Sequence, residues 1–343
     1  MHMKKSTICI RVISFSLIFL VLFSLVTEIL KDKRCEGEFD PTNKVRGFYK
    51  EPEDSLDFVF IGSSQLYAHV APAVLYRDYG ITSYDFAANE QPLWISYYYI
   101  KEALKYQKPK AIVLEVFTIY GADYEEEGVN HINLDDLPWS MNKAQAIMDS
   151  VPSELQYSYF FELAKYHSTW SQFYEGKYVY TFENPINVNK GYSPFVFYRD
   201  YEETAKEEVV IVTGSTPIPD RAKTWLLKII ELCREEQVDL IFFKTPNGNA
   251  ERQMLYNSFE EFAKKQQIPF LNLNTVLDGE AHVNVLQAEK ITRAVGEYLT
   301  NLYQIEDKRS LENFPYKEEW EKSVESFEAA KIQCSEAEPM EEE

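Results

Sequence analysis

The stretch DFVFIGSS, residues 57–64, decides how this chain reads. Phe58, Val59, Phe60 and Ile61 form an apolar run too short for a helix, and Gly62, Ser63 and Ser64 close it. That pattern predicts a buried strand ending in a turn of small polar residues. In sheets flanked by helices, ligands bind beyond the carboxyl ends of the strands. The two serines therefore stand where chemistry would sit. Glycine lets the backbone turn sharply. A serine at the start of the turn can present its hydroxyl as a nucleophile, with backbone N–H groups near for an oxyanion.

Working outward, the same short-strand pattern recurs between helical periods. Ser83–Ala87 predicts a second strand, and residues 92–106 a helix with Leu93, Tyr97, Ile100 and Leu104 on one face. AIVLEVF at 111–117 is a continuous apolar strand of the fully buried kind. Alternation resumes with a helix over 219–236, the strand VDLIFFK at 238–244, a helix over 250–266, a strand at Pro269–Leu273 and a helix over 285–303. This order predicts an α/β domain over 55–305, with a mostly parallel sheet and helices on both faces. Residues 123–208 interrupt it. They are aromatic and irregular and read as an inserted, partly helical region, serving either as packing or as a lid or binding surface. FENPINVNKGYSPFVFYRD, residues 182–200, is its clearest loop.

The N-terminus predicts one transmembrane helix. VISFSLIFLVLFSLVT, residues 12–27, carries no charge and is extended by Ile8, Cys9, Ile10, Ile29 and Leu30. No small-x-small cleavage site follows, so an uncleaved signal anchor over 1–34 is preferred to a cleaved signal peptide. Lys4, Lys5 and Arg11 precede the span and favour a cytoplasmic N-terminus, while Lys31, Lys33 and Arg34 oppose that bias. The expected state is a single-pass protein of the cell membrane, its C-terminal domain extracytoplasmic and its anchor in the lipid bilayer. Residues 35–54 read as a charged tether. Residues 306–343 carry 13 acidic against 5 basic residues and read as a flexible acidic tail.

Composition excludes several functions. The net charge of −20 argues against nucleic acid, whose phosphates require clustered Lys and Arg. Cys9, Cys35, Cys233 and Cys334 form no CxxC pair, and His69, His131 and His167 stand at no metal-ligand spacing. No phosphate-binding glycine loop is present, so neither a metal nor a cofactor is expected. Trp94, near a helix start, is a candidate for lining a sugar-binding cleft.

A second reactive patch lies before the last helix of the domain, at Asp278-Gly279-Glu280-Ala281-His282. A histidine there can act as general base, with a carboxylate to orient it. A serine after the first strand and a histidine before the last helix resemble the layout of the SGNH (GDSL-like) hydrolases, over roughly residues 55–303. The chain is most similar to their membrane-anchored bacterial branch, associated with membrane-bound O-acyltransferases. FIGSSQLY at 60–67, YDFAANEQPLWISYYYIKEALKYQKPKAIVLEVF at 84–117 and HVNVLQAEKITRAVGEYL at 282–299 carry the resemblance.

The resemblance implies a three-layer α/β/α, flavodoxin-like fold. It implies Ser64 as nucleophile, His282 as base, the Ser64 N–H in the oxyanion hole, and Asn89 and Gln91 as further polar groups there. Gly279 occupies the position where the family has its orienting Asp, which leaves Asp278 or Glu280 for that role. Gln287 replaces a glycine, and Phe117-Thr118-Ile119-Tyr120 stands in place of the Gly-x-Asn-Asp block. The implied activity is an O-acyl esterase or acyltransferase for a cell-surface polysaccharide or wall polymer, working beside a membrane-bound O-acyltransferase. The alternative implied by Gly279 is a catalytically weak or inactive accessory or binding protein of such a system.

Overall fold

The computed structural model describes residues 5–31, 33, 41–120, 127–172, 175–183, 185–197, 213–246, 250–274 and 282–337. The helices are α1 (Lys5–Leu30), α2 (Pro41–Phe48), α3 (Ser64–His69), α4 (Pro72–Tyr79), α5 (Leu93–Tyr106), α6 (Glu127–Leu134) and α7 (Met141–Ser150). They continue with α8 (Gln156–Phe160), α9 (Glu162–Tyr166), α10 (Glu175–Phe182), α11 (Asp220–Glu235), α12 (Ala250–Gln266), α13 (Val285–Leu302) and α14 (Lys317–Ser335). The strands are β1 (Phe58–Ile61), β2 (Ser83–Asp85), β3 (Ala111–Glu115), β4 (Asp239–Lys244) and β5 (Phe270–Asn272).

The five strands form one sheet in the order β2-β1-β3-β4-β5, and each pairing is parallel. From β1 the chain steps to one side for β2, then returns to pair β3 on the other. The order therefore reverses between β1 and β3, and the crevice of such a sheet opens at their carboxyl ends. Strand residues alternate between two apolar cores. Val59, Ile61, Ile112, Leu114, Leu240 and Phe242 join α5, α11 and α12 through Ile95, Ile229 and Phe259. Phe58, Phe60, Ala111, Val113, Ile241 and Phe243 join α3, α4 and α13 through Leu66, Leu75 and Ile291. Both faces are covered, so β1, β3 and β4 are apolar on both sides apart from charges at their ends, and the alternation vanishes from the sequence.

Two expectations about the flanks of the domain need correction. Residues 35–54 were expected as a tether, yet residues 41–48 form α2. Its Val45 and Phe48 are fully buried, and Phe48 stacks on Phe86 at 4.1 Å. Two apolar residues three apart are enough to seat one face of a short helix. Residues 306–343 were expected as a flexible tail, yet α14 docks on α4 and α13. Trp320, Phe327 and Cys334 are buried along it. They recur every seven residues, a seam narrow enough to be hidden among the acids. Trp320 stacks on Tyr76 at 5.1 Å, and Lys331 pairs with Glu289 at 2.8 Å. Residues 338–343 lie outside the described residues.

The insertion predicted over 123–208 carries the helices α6 to α10. Its loop, described over 185–197, packs between α3 and the start of α13. Ser193 N–H donates to the Tyr67 carbonyl at 2.8 Å, and Val285 N–H donates to the Phe195 carbonyl at 2.9 Å.

Candidate functional site

The site is built where β1, β3 and β4 end. Gly62 leaves β1 against β3 so closely that a Cβ there would lie 2.5 Å from the Glu115 Cβ. Any side chain would push the turn off the strand. Ser63 follows as the N-cap of α3, in extended conformation, its oxygen accepting from Gln65 N–H at 3.3 Å. Its hydroxyl donates to Glu115 Oε2 at 2.8 Å. The Ser63 side chain is thus committed to capping and to Glu115. Ser64 opens α3 one residue later, buried, and shares a side-chain hydrogen bond with Tyr67 one turn on. Burial pushes the Tyr67 phenol above its ordinary range, so it stays protonated.

Two charged residues that the sequence reading passed over lie beneath these serines. Glu115 ends β3 fully buried and accepts from Ser63 and from Phe117 N–H. Burial raises its carboxyl above the usual range, while the Lys244 ammonium and the hydrogen bonds from Ser63 and Phe117 pull it down. Lys244 ends β4, also fully buried. Its Nζ donates to the Thr245 carbonyl at 2.5 Å and to Gln65 Oε1 at 3.4 Å. It also lies over the Tyr256 ring at 5.1 Å. Thr245 Oγ1 donates to the same Gln65 oxygen at 2.9 Å. Gln65 thereby ties the first turn of α3 to the end of β4. The signal for both was present: a charge inside an apolar strand, Glu115 in AIVLEVF and Lys244 in DLIFFK, requires a partner or a function.

His69 closes α3 fully buried, and neither ring nitrogen has a hydrogen-bond partner among the described residues. Burial holds it well below the 6.5 of a free imidazole, helped by the charge of Lys244. It is therefore neutral at pH 7. His282 stands two residues before Asn284, the N-cap of α13, which accepts from Gln287 N–H at 3.1 Å. Its ring lies parallel to Phe195, centroids 5.3 Å apart with 4° between planes. Burial lowers its pKa below 6.5 as well. α3 and α13 pack side by side: Thr292 Oγ1 donates to the His69 carbonyl at 3.3 Å, and Ala71 N–H donates to Thr292 Oγ1 at 2.9 Å.

The other expected site residues fall as follows. Ala88 N–H donates to the Gly62 carbonyl at 3.3 Å, which holds the Asn89–Gln91 turn beside the serine loop. The Asn89 carbonyl accepts from Asn133 Nδ2 at 2.9 Å. Gln91 is buried and turns its amide to Ser96 Oγ at 3.1 Å, toward its own helix. Asp278, Gly279 and Glu280 lie outside the described residues. Trp94 is buried with the Arg221 guanidinium 3.8 Å above its ring, so it lines no open cleft. Among the described residues no group of histidine, cysteine and carboxylates is arranged to hold a metal, and Cys9, Cys233 and Cys334 are free thiols. Compared with known proteins, the chain matches no family model and no curated relative.

Proposed function

We propose that this chain is a membrane-anchored, extracytoplasmic O-acyl esterase or acyltransferase with a three-layer SGNH-type domain, acting on a cell-surface polysaccharide or wall polymer. One observation carries the reading. Ser64 opens the helix that leaves the interior strand β1, at the edge where strand order reverses. His282 precedes the helix packed against it. The hydroxyl of Ser63 is tied to Glu115, which leaves Ser64 as the serine for the acyl group.

In this mechanism Ser64 Oγ attacks the ester carbonyl and passes its proton to His282. The carbonyl oxygen takes the negative charge against the Ser64 N–H. Collapse breaks the ester C–O bond, and His282 returns the proton to the departing alcohol. A sugar hydroxyl, or water, then attacks the acyl-serine, again losing its proton to His282; the acyl–Oγ bond breaks and His282 returns that proton to Ser64 Oγ. A neutral His282 is what the base role requires, and its lowered pKa supplies that form at pH 7. Asp278 or Glu280 would orient the imidazole in the place of an Asp at 279.

The membrane part rests on α1. Residues 7–30 form a helix of 24 residues with mean hydropathy 2.5. Its last turn is used by the domain: Glu28 pairs with Lys33 at 2.6 Å and with Arg46 at 2.7 Å. Cleavage after Leu30 would remove Glu28 and with it both pairs, which favours an uncleaved anchor. Lys31 and Lys33 are buried and paired with Glu162 and Glu28. Their opposition to the Lys4, Lys5 and Arg11 bias is weakened accordingly.

The test is labelling by a serine-reactive fluorophosphonate. The wild type should label and Ser64→Ala should not. Equal labelling of the two rejects Ser64 as the nucleophile. The accessory-protein reading rests on Gly279 alone and predicts that Ser64→Ala and His282→Ala leave the biological role intact. Ester turnover abolished by Ser64→Ala ends it.

A further inference from the structure

The anchor and the insertion meet at one level of the molecule. From residue 7 to residue 26, α1 is exposed along its length apart from half-buried Phe23, and burial begins at residue 27. Those roughly 20 residues rise about 30 Å, the thickness of a bilayer's hydrocarbon core. A membrane surface therefore falls at the last turn of α1. Three residues of the insertion hold that turn. Thr169 Oγ1 donates to the Leu30 carbonyl, and Lys177 Nζ donates to the same oxygen at 3.4 Å. Glu162 pairs with Lys31 at 3.5 Å.

Each of these three residues has an exposed aromatic neighbour in the chain. Phe161 is 63% exposed, Trp170 73% and Tyr178 50%. Phe182, 52% exposed, packs on Tyr178 with ring centroids 5.0 Å apart. Four large aromatic rings facing solvent around one helix end are an apolar patch without a cover. Amphipathic rings gather at the headgroup level of bilayers.

We propose that Phe161, Trp170, Tyr178 and Phe182 form a collar that sits in the lipid headgroup layer around the exit of α1. The membrane thus holds the catalytic domain at a set height and tilt rather than on a loose leash. The ion-pair cluster behind the collar makes it rigid. Lys143 reaches Glu162 at 2.9 Å, and Arg46 reaches Asp136 at 2.7 Å. Burial alone would raise the Asp136 carboxyl, but Arg46, Lys31 and Lys33 bring it down to about 2. Asp136 therefore stays ionised across the physiological pH range.

The inference rests on the membrane-anchored reading above, and its test separates the two. The full chain and Trp170→Phe are reconstituted in vesicles of phosphatidylcholine whose acyl chains carry bromine near the headgroup. Retention through a carbonate wash reports the anchor. The difference in emission between the two proteins reports Trp170. The collar predicts that more than half of that difference is lost to the brominated lipid and that aqueous acrylamide leaves it nearly unchanged. Quenching by acrylamide instead overturns the collar and leaves the anchor standing. Protection from both quenchers also overturns it, because the patch is then covered by protein. Release by the carbonate wash rejects the anchor itself, and the collar with it.

Discussion

Replacing Lys244 by methionine probes whether Glu115 and Lys244 act as one unit beneath the candidate nucleophile. Both are fully buried, and the Lys244 ammonium acts on the Glu115 carboxyl through its charge; stranding one partner of a contacting buried ion pair costs about 3–5 kcal/mol, which sets the upper bound here. For a domain of this size, about 2 °C of Tm corresponds to each kcal/mol, so Lys244→Met should lower Tm by up to roughly 6–10 °C. The loss has a pH signature. The Glu115 carboxyl is raised by burial and drawn down by Lys244 and by hydrogen bonds from Ser63 and Phe117. Without the ammonium it keeps its proton to higher pH. The unfolded chain gives up that proton near pH 4.3 (about the model-peptide value), so the folded chain binds more protons above it. Wild type shares the resulting loss of stability up to its own raised Glu115 titration; from there to the variant's still higher one, the variant falls behind by at most about 1.4 kcal/mol for each pH unit. Glu115→Gln should be costly alone, since it strands the lysine. The double variant should recover at least about 1 kcal/mol against the sum of the singles. Calorimetry of the four proteins at pH 5 and pH 8 decides it. Additive single losses, or a Lys244→Met deficit equal at both pH values, would refute the pairing.

Three further outcomes are expected. Ester hydrolysis by the wild type should rise with pH as His282 loses its proton, with its half-maximum below 6.5, because burial lowers this imidazole; a half-maximum above that value counts against His282 as the base. Trp320→Ala removes a buried ring stacked on Tyr76. At about 25 cal/mol per Å² over the 150–250 Å² of a large aromatic, it should cost about 4–6 kcal/mol and about 8–12 °C in Tm; a solvated tail would give no shift in the same melt. Ser63→Ala should lower stability by about 1 kcal/mol through the lost α3 cap, yet retain fluorophosphonate labelling, which distinguishes its positioning role from that of Ser64.

Much of the fold could be read from the residues because each element announces itself locally. Phe58–Ile61, Ala111–Glu115 and Asp239–Lys244 are strands in apolar runs whose ends are marked by Gly62, by Glu115 and by Thr245-Pro246. The helices α5, α11, α12 and α13 fall within one residue or so of their predicted bounds, because an apolar stripe of helical period is a local property. The short helices α2, α3 and α4 escaped notice. They span about two turns or fewer and owe their stability to burial rather than to a stripe long enough to detect. The Trp320, Phe327 and Cys334 seam escaped for the opposite reason, since its charged surroundings dominate any local average.

At the candidate site the division is sharper. The residue types alone determined that Ser63, Ser64 and His282 were worth attention, and that an apolar helix precedes the domain. Which of the two serines is committed, and to what, was decided only when β3 brought Glu115 under the turn. That pairing joins residues 52 positions apart. The approach of Lys244 to that turn is likewise a product of strand order. A run of sequence records a side chain's character, but a hydrogen bond across a parallel sheet depends on crossover connections that no local pattern encodes. The same holds at the membrane end. Hydropathy alone marks residues 7–30 as long and apolar enough to span a bilayer. Only tertiary contacts turn the following lysines from a free charged flank into buried partners of Glu28 and Glu162.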